Sequence, residues 1–154
     1  MSPELAIYYR RMLSVDIPTD YEQYIDLALE QEAILSELLL ELACSLSDWN
    51  RTISLLDEYL RTVFWEEQKV YARIIAQLRV LCRSGELSYE DGLKAIFSIF
   101  STLPFEVRVE KPWIRLYDLE DDYLDICYGY YTIDWILKEF QKLLNEEVNN
   151  NDTD

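Results

Sequence analysis

Residues 19–46 read TDYEQYIDLALEQEAILSELLLELACSL. No glycine or proline interrupts them, and Ile25, Ala28, Leu29, Leu35, Leu39 and Leu42 fall largely along one side of a helix. Thr19-Asp20-Tyr21-Glu22 opens the stretch as a capping box, with Thr19 capping the N3 amide and Glu22 reaching back. The expectation is one long helix over about 20–46. Glu22, Asp26, Glu30, Glu37 and Glu41 run up another side of it at spacings of four and seven.

Outward from that helix the pattern repeats. Ser2-Pro3-Glu4 supplies cap, first position and first-turn acid for a helix over about 3–13, which Asp16-Ile17-Pro18 ends. Ser47-Asp48 caps a helix over about 48–61, and another runs over about 63–83, either separate or as one bent rod with it. Gly85 suits a left-handed helix end. Ser88 starts a helix over about 88–102, with Leu93, Ile96, Phe97 and Phe100 at helical spacing. Leu103 to Pro112 alternates between two prolines, so one short extended segment is expected near 104–112, as a connection or a lone strand. Helices over about 116–127 and 132–147 follow, with Gly129 between them and Thr132 as a cap.

Composition supports the same class. The chain has 154 residues, half of them apolar, with only three glycines and four prolines. Sheets need turn residues about every 8–12 positions, and this sequence lacks them at that rate. The expectation is an all-α, single-domain bundle of six or seven helices over 1–148, with a disordered polar tail at 149–154. Twelve tyrosines, five phenylalanines and four tryptophans separate it from disordered acidic chains. Trp49, Phe64, Trp65, Phe97, Phe100 and Trp135 sit among aliphatics and read as core. Trp113, behind Pro112 in the connection, reads as a lid on the core or as a contact anchor.

Acids number 30 and bases 14, a net charge of −16. Residues 1–47 hold nine acids and two bases, residues 48–116 ten of each, and residues 117–154 eleven acids and two bases. The excess therefore sits at the two ends, and they make one negative face if their helices lie together. Such a charge repels nucleic acid and anionic membrane and attracts basic proteins. Cys44, Cys82 and Cys127 form no CxxC pair and read as reduced, mostly packed thiols of a cytoplasmic protein. The first residues lack a signal-peptide pattern, and no run reaches the roughly 18–20 apolar residues of a membrane span.

Chemistry is constrained by what is missing. The chain has no histidine, which removes Ser-His and Cys-His pairs, HExxH zinc sites and the ExxH repeats of di-iron bundles. Three isolated glycines make no phosphate loop, and Asp118-Leu119-Glu120-Asp121-Asp122 lacks the pattern of a calcium loop. The reading is a binding protein with no catalytic residue, no metal and no cofactor.

Residues 117–131, YDLEDDYLDICYGYY, are the candidate contact surface. Asp118, Glu120, Asp121, Asp122 and Asp125 repel one another unless a cation relieves them, and Tyr117, Tyr123, Tyr128, Tyr130 and Tyr131 offer large contact area with little rotamer entropy to lose. A plainer reading stands beside it, in which the acids favour a helix N-terminus and the tyrosines pack two helices. Glu22, Asp26, Glu30, Glu37 and Glu41 form a secondary candidate surface, made distinctive by the lack of any Lys or Arg between Arg11 and Arg51.

Two stretches carry a resemblance. SGELSYEDGL at 84–93, with the aromatic run behind it, resembles the turn and Ser-capped acidic helix of small helical bacterial immunity proteins against colicin-type and contact-dependent toxins. DICYGYY at 125–131 is similar in kind to the acidic, tyrosine-bearing surface of such proteins. The resemblance implies a toxin inhibitor in bacterial competition that occludes a basic nuclease domain by tight one-to-one binding. The same physics fits a phage- or plasmid-encoded nucleic-acid mimic that blocks a host defence nuclease, or an adaptor for another basic protein.

Overall fold

The computed structural model describes residues 1–146; the expected tail at 149–154 lies outside the described residues. Every regular element among the described residues is helical, so the all-α expectation holds. Helices number nine among these residues rather than six or seven, because the long helix is broken and the alternating segment contains a short one. The chain divides into two compact units, Met1–Glu66 and Glu67 onward.

The first unit starts where the Leu5 amide donates to Ser2 Oγ at 3.2 Å, opening α1 (Pro3–Ser14). Asp16 takes a left-handed φ of 55°, and the Ile17 amide turns back to the Met12 carbonyl at 3.1 Å, which ends α1 ahead of Pro18. Helix α2 (Tyr21–Gln31) follows. The expected capping box does not form: Thr19 Oγ1 accepts from the Tyr21 amide at 3.2 Å, two residues on, and Asp20 accepts from the Tyr9 hydroxyl at 2.9 Å. The helix expected over 20–46 stops at Gln31 and resumes as α3 (Glu37–Cys44), because Ser36 adopts an extended backbone and accepts from the Leu39 amide at 3.2 Å. Leu35 consequently lies off any helix and is exposed, not on the apolar side as read. Asp48 caps α4 (Trp49–Leu60) through the Arg51 amide.

Tyr9, Met12, Tyr21, Ile25, Leu42 and Leu56 fill this unit's core. Tyr21 meets Tyr9 edge-on at 5.0 Å and Trp49 at 5.9 Å. Arg10 pairs with Asp57 at 2.8 Å, joining α1 to α4. The helix read over 63–83 begins later, since Val63-Phe64-Trp65 is a poor helix-forming run between α4 and the next element. Phe64, read as core, is 96% exposed.

In the second unit α5 (Glu67–Ser84) buries Val70, Tyr71, Ile74, Ile75, Leu78, Leu81 and Cys82, a stripe two residues wide at helical period. Each aliphatic side chain so buried contributes about 1.5–3 kcal/mol. Gly85 ends α5 at a φ of 80°, and the Leu87 amide donates back to the Leu81 carbonyl at 3.2 Å. Ser88 caps α6 (Tyr89–Ser101). The segment near 104–112 is neither strand nor extended connection, as it contains α7 (Phe105–Arg108) directly after Pro104. Next come α8 (Ile114–Leu124), a 3₁₀ turn (Asp125–Tyr128), and α9 (Ile133–Asn145), capped by Thr132.

All three cysteines are free. Only Cys82 is packed, its thiol pushed up by burial; Cys44 and Cys127 are exposed, against the expectation that most would pack. No helix among the described residues is long and apolar enough to cross a membrane.

Candidate partner-binding surface

Helix α8 turns two sides to different surroundings. Leu116 and Leu119 are buried, Tyr117 lies edge-on to Phe100 at 6.5 Å, and Tyr123 tilts against Phe97 at 5.4 Å. Asp118 and Asp121 each follow a buried leucine by two residues, about 200° around the helix, and are exposed. Glu120 and Asp122 are half-buried between those sides. The Glu120 carboxyl is raised above the usual range, chiefly by burial, with Arg108 opposing and Asp121 adding to the rise.

After α8 the chain tightens into the 3₁₀ turn and reverses at Gly129, whose φ of 78° is left-handed. That reversal leaves Tyr128 77% and Tyr130 75% exposed. Tyr131 folds back and stacks on Trp135, with ring centroids 4.6 Å apart and planes 25° from parallel. The Tyr131 phenol is raised first by the Asp122 charge, then by burial, a hydrogen bond to Asp122 and the Asp125 charge. Asp122 and Asp125 therefore stand beside the stacked rings.

Three cations of this unit are paired with other acids. Lys94 pairs with Glu90 at 3.1 Å, Lys142 with Glu139 at 2.9 Å, and Arg115 with Glu146. Among the described residues, no ion pair engages Asp118, Asp121, Asp122 or Asp125. The result is an anionic surface interleaved with aromatic rings, of the kind that holds guanidinium or ammonium groups by charge and by ring faces. No group of three or more His, Cys, Asp or Glu side chains is placed to hold a metal ion among the described residues.

Of the ten primary candidates, Tyr117 and Tyr123 anchor α8 to α6, while Asp118, Asp121, Tyr128 and Tyr130 are exposed and Glu120, Asp122, Asp125 and Tyr131 are half-buried beside them. Three residues of this surface escaped the sequence reading. Trp135, Leu124 and Ile133 are exposed, although Trp135 reads as core. Spacing carried the signal for Trp135: α9 buries Ile136, Phe140, Leu143 and Leu144, and Trp135 precedes that stripe by one position.

The secondary candidates lie in the first unit. Glu22, Asp26 and Glu30 are exposed on α2, and Glu37 and the half-buried Glu41 follow on α3. Nearby, a shallow cleft lined by Asp16, Asp20, Glu22 and Trp49 is acidic as well. Comparisons with protein-family models, curated proteins and solved structures find no match to this chain.

Proposed function

We propose that this chain is an acidic inhibitor that binds and occludes a basic protein, most concretely an immunity protein for a nuclease-type bacterial toxin. The observation that carries this reading is the α8–α9 surface, where exposed Tyr128 and Tyr130 follow in sequence four aspartates that no ion pair engages among the described residues, two of which, Asp122 and Asp125, stand beside Tyr131. Keeping four uncompensated carboxylates together costs stability through self-repulsion, and a cationic partner relieves it. Nucleases present a cationic groove to their substrate, so a matched anionic face is steered to it and excludes nucleic acid. The tyrosines supply affinity once charge has supplied orientation. No catalytic step, metal or cofactor belongs to this reading.

Its test is protection. Cells producing a candidate nuclease toxin domain should survive when the chain is co-expressed, and should lose that protection when Asp121 and Asp122 are both changed to Lys. Equal survival with the double variant overturns the role given to this surface. A chain that blocks a host defence nuclease instead, and no such toxin, assigns the same surface to a nucleic-acid mimic.

A further inference from the structure

The break between α2 and α3 creates a second surface with its own chemistry. Residues 32–36 link the helices, and Ala33, Ile34 and Leu35 in that link are all exposed, Ile34 at 88%. Leu27 and Leu40 are also exposed, at 52% and 46%. Leu27 lies two residues beyond buried Ile25, about 200° around its helix, while Leu40 lies one residue beyond buried Leu39 and two before buried Leu42, on the edge of the core side, and both are exposed. Neither therefore fits the core of this unit. Both lie within about one helical turn of the link, since Leu27 precedes Gln31 by four residues and Leu40 follows Glu37 by three.

Carboxylates flank these apolar side chains in sequence. Asp26, Glu30, Glu32 and Glu37 are exposed on the same hairpin, and no Lys or Arg occurs between Arg11 and Arg51 to offset them. An apolar tip flanked by a single sign of charge selects its occupant. A second copy is disfavoured, because a two-fold contact apposes the same patch from each chain and brings two anionic hairpins together. Anionic membrane is repelled for the same reason. A partner helix with an apolar face bordered by Lys and Arg satisfies both parts of the surface.

We propose that the α2–α3 hairpin is a docking tip that packs Ile34, with Leu27 and Leu40, against the apolar face of a basic amphipathic helix. It shares with the reading above only the positive charge of the partner, and it involves different residues. The test titrates the isotopically labelled full chain with a synthetic amphipathic helix peptide, leucine on one face and lysine on the other, and follows amide shifts. Shifts centred on Leu27, Ile34, Leu35 and Leu40 are expected. Ile34→Ser with Leu27→Ser should weaken binding by about tenfold, and Leu40→Gln gives an independent check, with circular dichroism verifying the helices of each variant. Tyr128→Ala with Tyr130→Ala should leave the hairpin shifts in place. Equal affinity for an all-lysine peptide lacking the leucines overturns the proposal, since charge alone would then explain binding. Shifts confined to residues 118–135 overturn it too, while favouring the tyrosine surface. Concentration-dependent dimerisation through the hairpin, or its binding to anionic vesicles in place of the peptide, assigns the tip to a different occupant and ends the proposal.

Discussion

The indole nitrogen of Trp113 donates to Glu67 Oε2 at 2.9 Å, joining residues 46 apart in sequence. Trp113 is fully buried and meets the Tyr71 ring edge-on at 5.0 Å. Of the two roles open to a tryptophan behind Pro112, the structure selects the core. Trp113→Ala should therefore lower stability by about 3–5 kcal/mol, read from urea unfolding followed by circular dichroism. Trp113→Phe keeps most of the packing and loses the hydrogen bond, so its loss should be clearly smaller. Equal losses for the two would refute this division.

Exposed and anchoring tyrosines should separate cleanly. Tyr128→Ala and Tyr130→Ala are expected to change stability by no more than about 0.5 kcal/mol and to speed dissociation from a toxin nuclease domain. Tyr123→Ala removes the contact with Phe97 and should lower the unfolding midpoint. Asp121→Lys with Asp122→Lys should slow association by about tenfold at low salt and flatten its salt dependence. Surface plasmon resonance at two ionic strengths distinguishes these rate effects.

Alkali should find the buried phenols of Tyr21 and Tyr71. Tyr21 and Tyr71 are each pushed up to about 12 by burial, with Thr52 partly opposing at Tyr21 and Arg115 at Tyr71. A folded value raised above 10 means that the unfolded chain gives up these protons first. The stability tied to the neutral phenols is complete below pH 10 and is lost as pH rises toward 12. Tyr71→Phe should accordingly flatten the fall in stability across that window, measured by denaturant unfolding at stepped pH.

Glu120 predicts an acid-side effect of the same sign. Its folded value is raised mainly by burial, so the native chain holds this proton more firmly than the unfolded chain does. The carboxyl's contribution is present below the ordinary value of 4.5 and is lost as pH rises through the raised folded value. Relative to Glu120→Gln, the parent chain should gain stability as pH is lowered from 7 toward 4.5. A constant difference between the two across that range counts against the burial of this side chain.

Much of the helical plan is written in short-range signals. Ser2, Asp48, Ser88 and Thr132 each accept the amide three residues on, as their sequence contexts imply. The break at Ser36 was not legible, because Glu32, Ala33 and Leu35 are ordinary helix formers and a serine within a helix looks the same as one that caps it. Alternation between Pro104 and Pro112 suggested extension, yet a proline at a helix start suits a short turn equally well. At the candidate surface the aspartates could be named from their density. Which tyrosines face out could not, since that depends on the left-handed turn at Gly129. Tyr123 was the exception in principle, as it follows buried Leu116 by seven residues and so returns to the packed side.

The stacking of Tyr131 on Trp135 gives the protein an optical reporter of its own. Trp135 is partly open to solvent, whereas Trp113 is enclosed, so a neutral quencher such as acrylamide reaches one indole and not the other. With half-buried Trp49 and Trp65 replaced by Phe, anything that covers the Asp122–Trp135 surface must alter the emission of Trp135 while leaving that of Trp113 largely unchanged. Occupancy of the surface can thus be followed by intrinsic fluorescence, with no label attached to the residues under test.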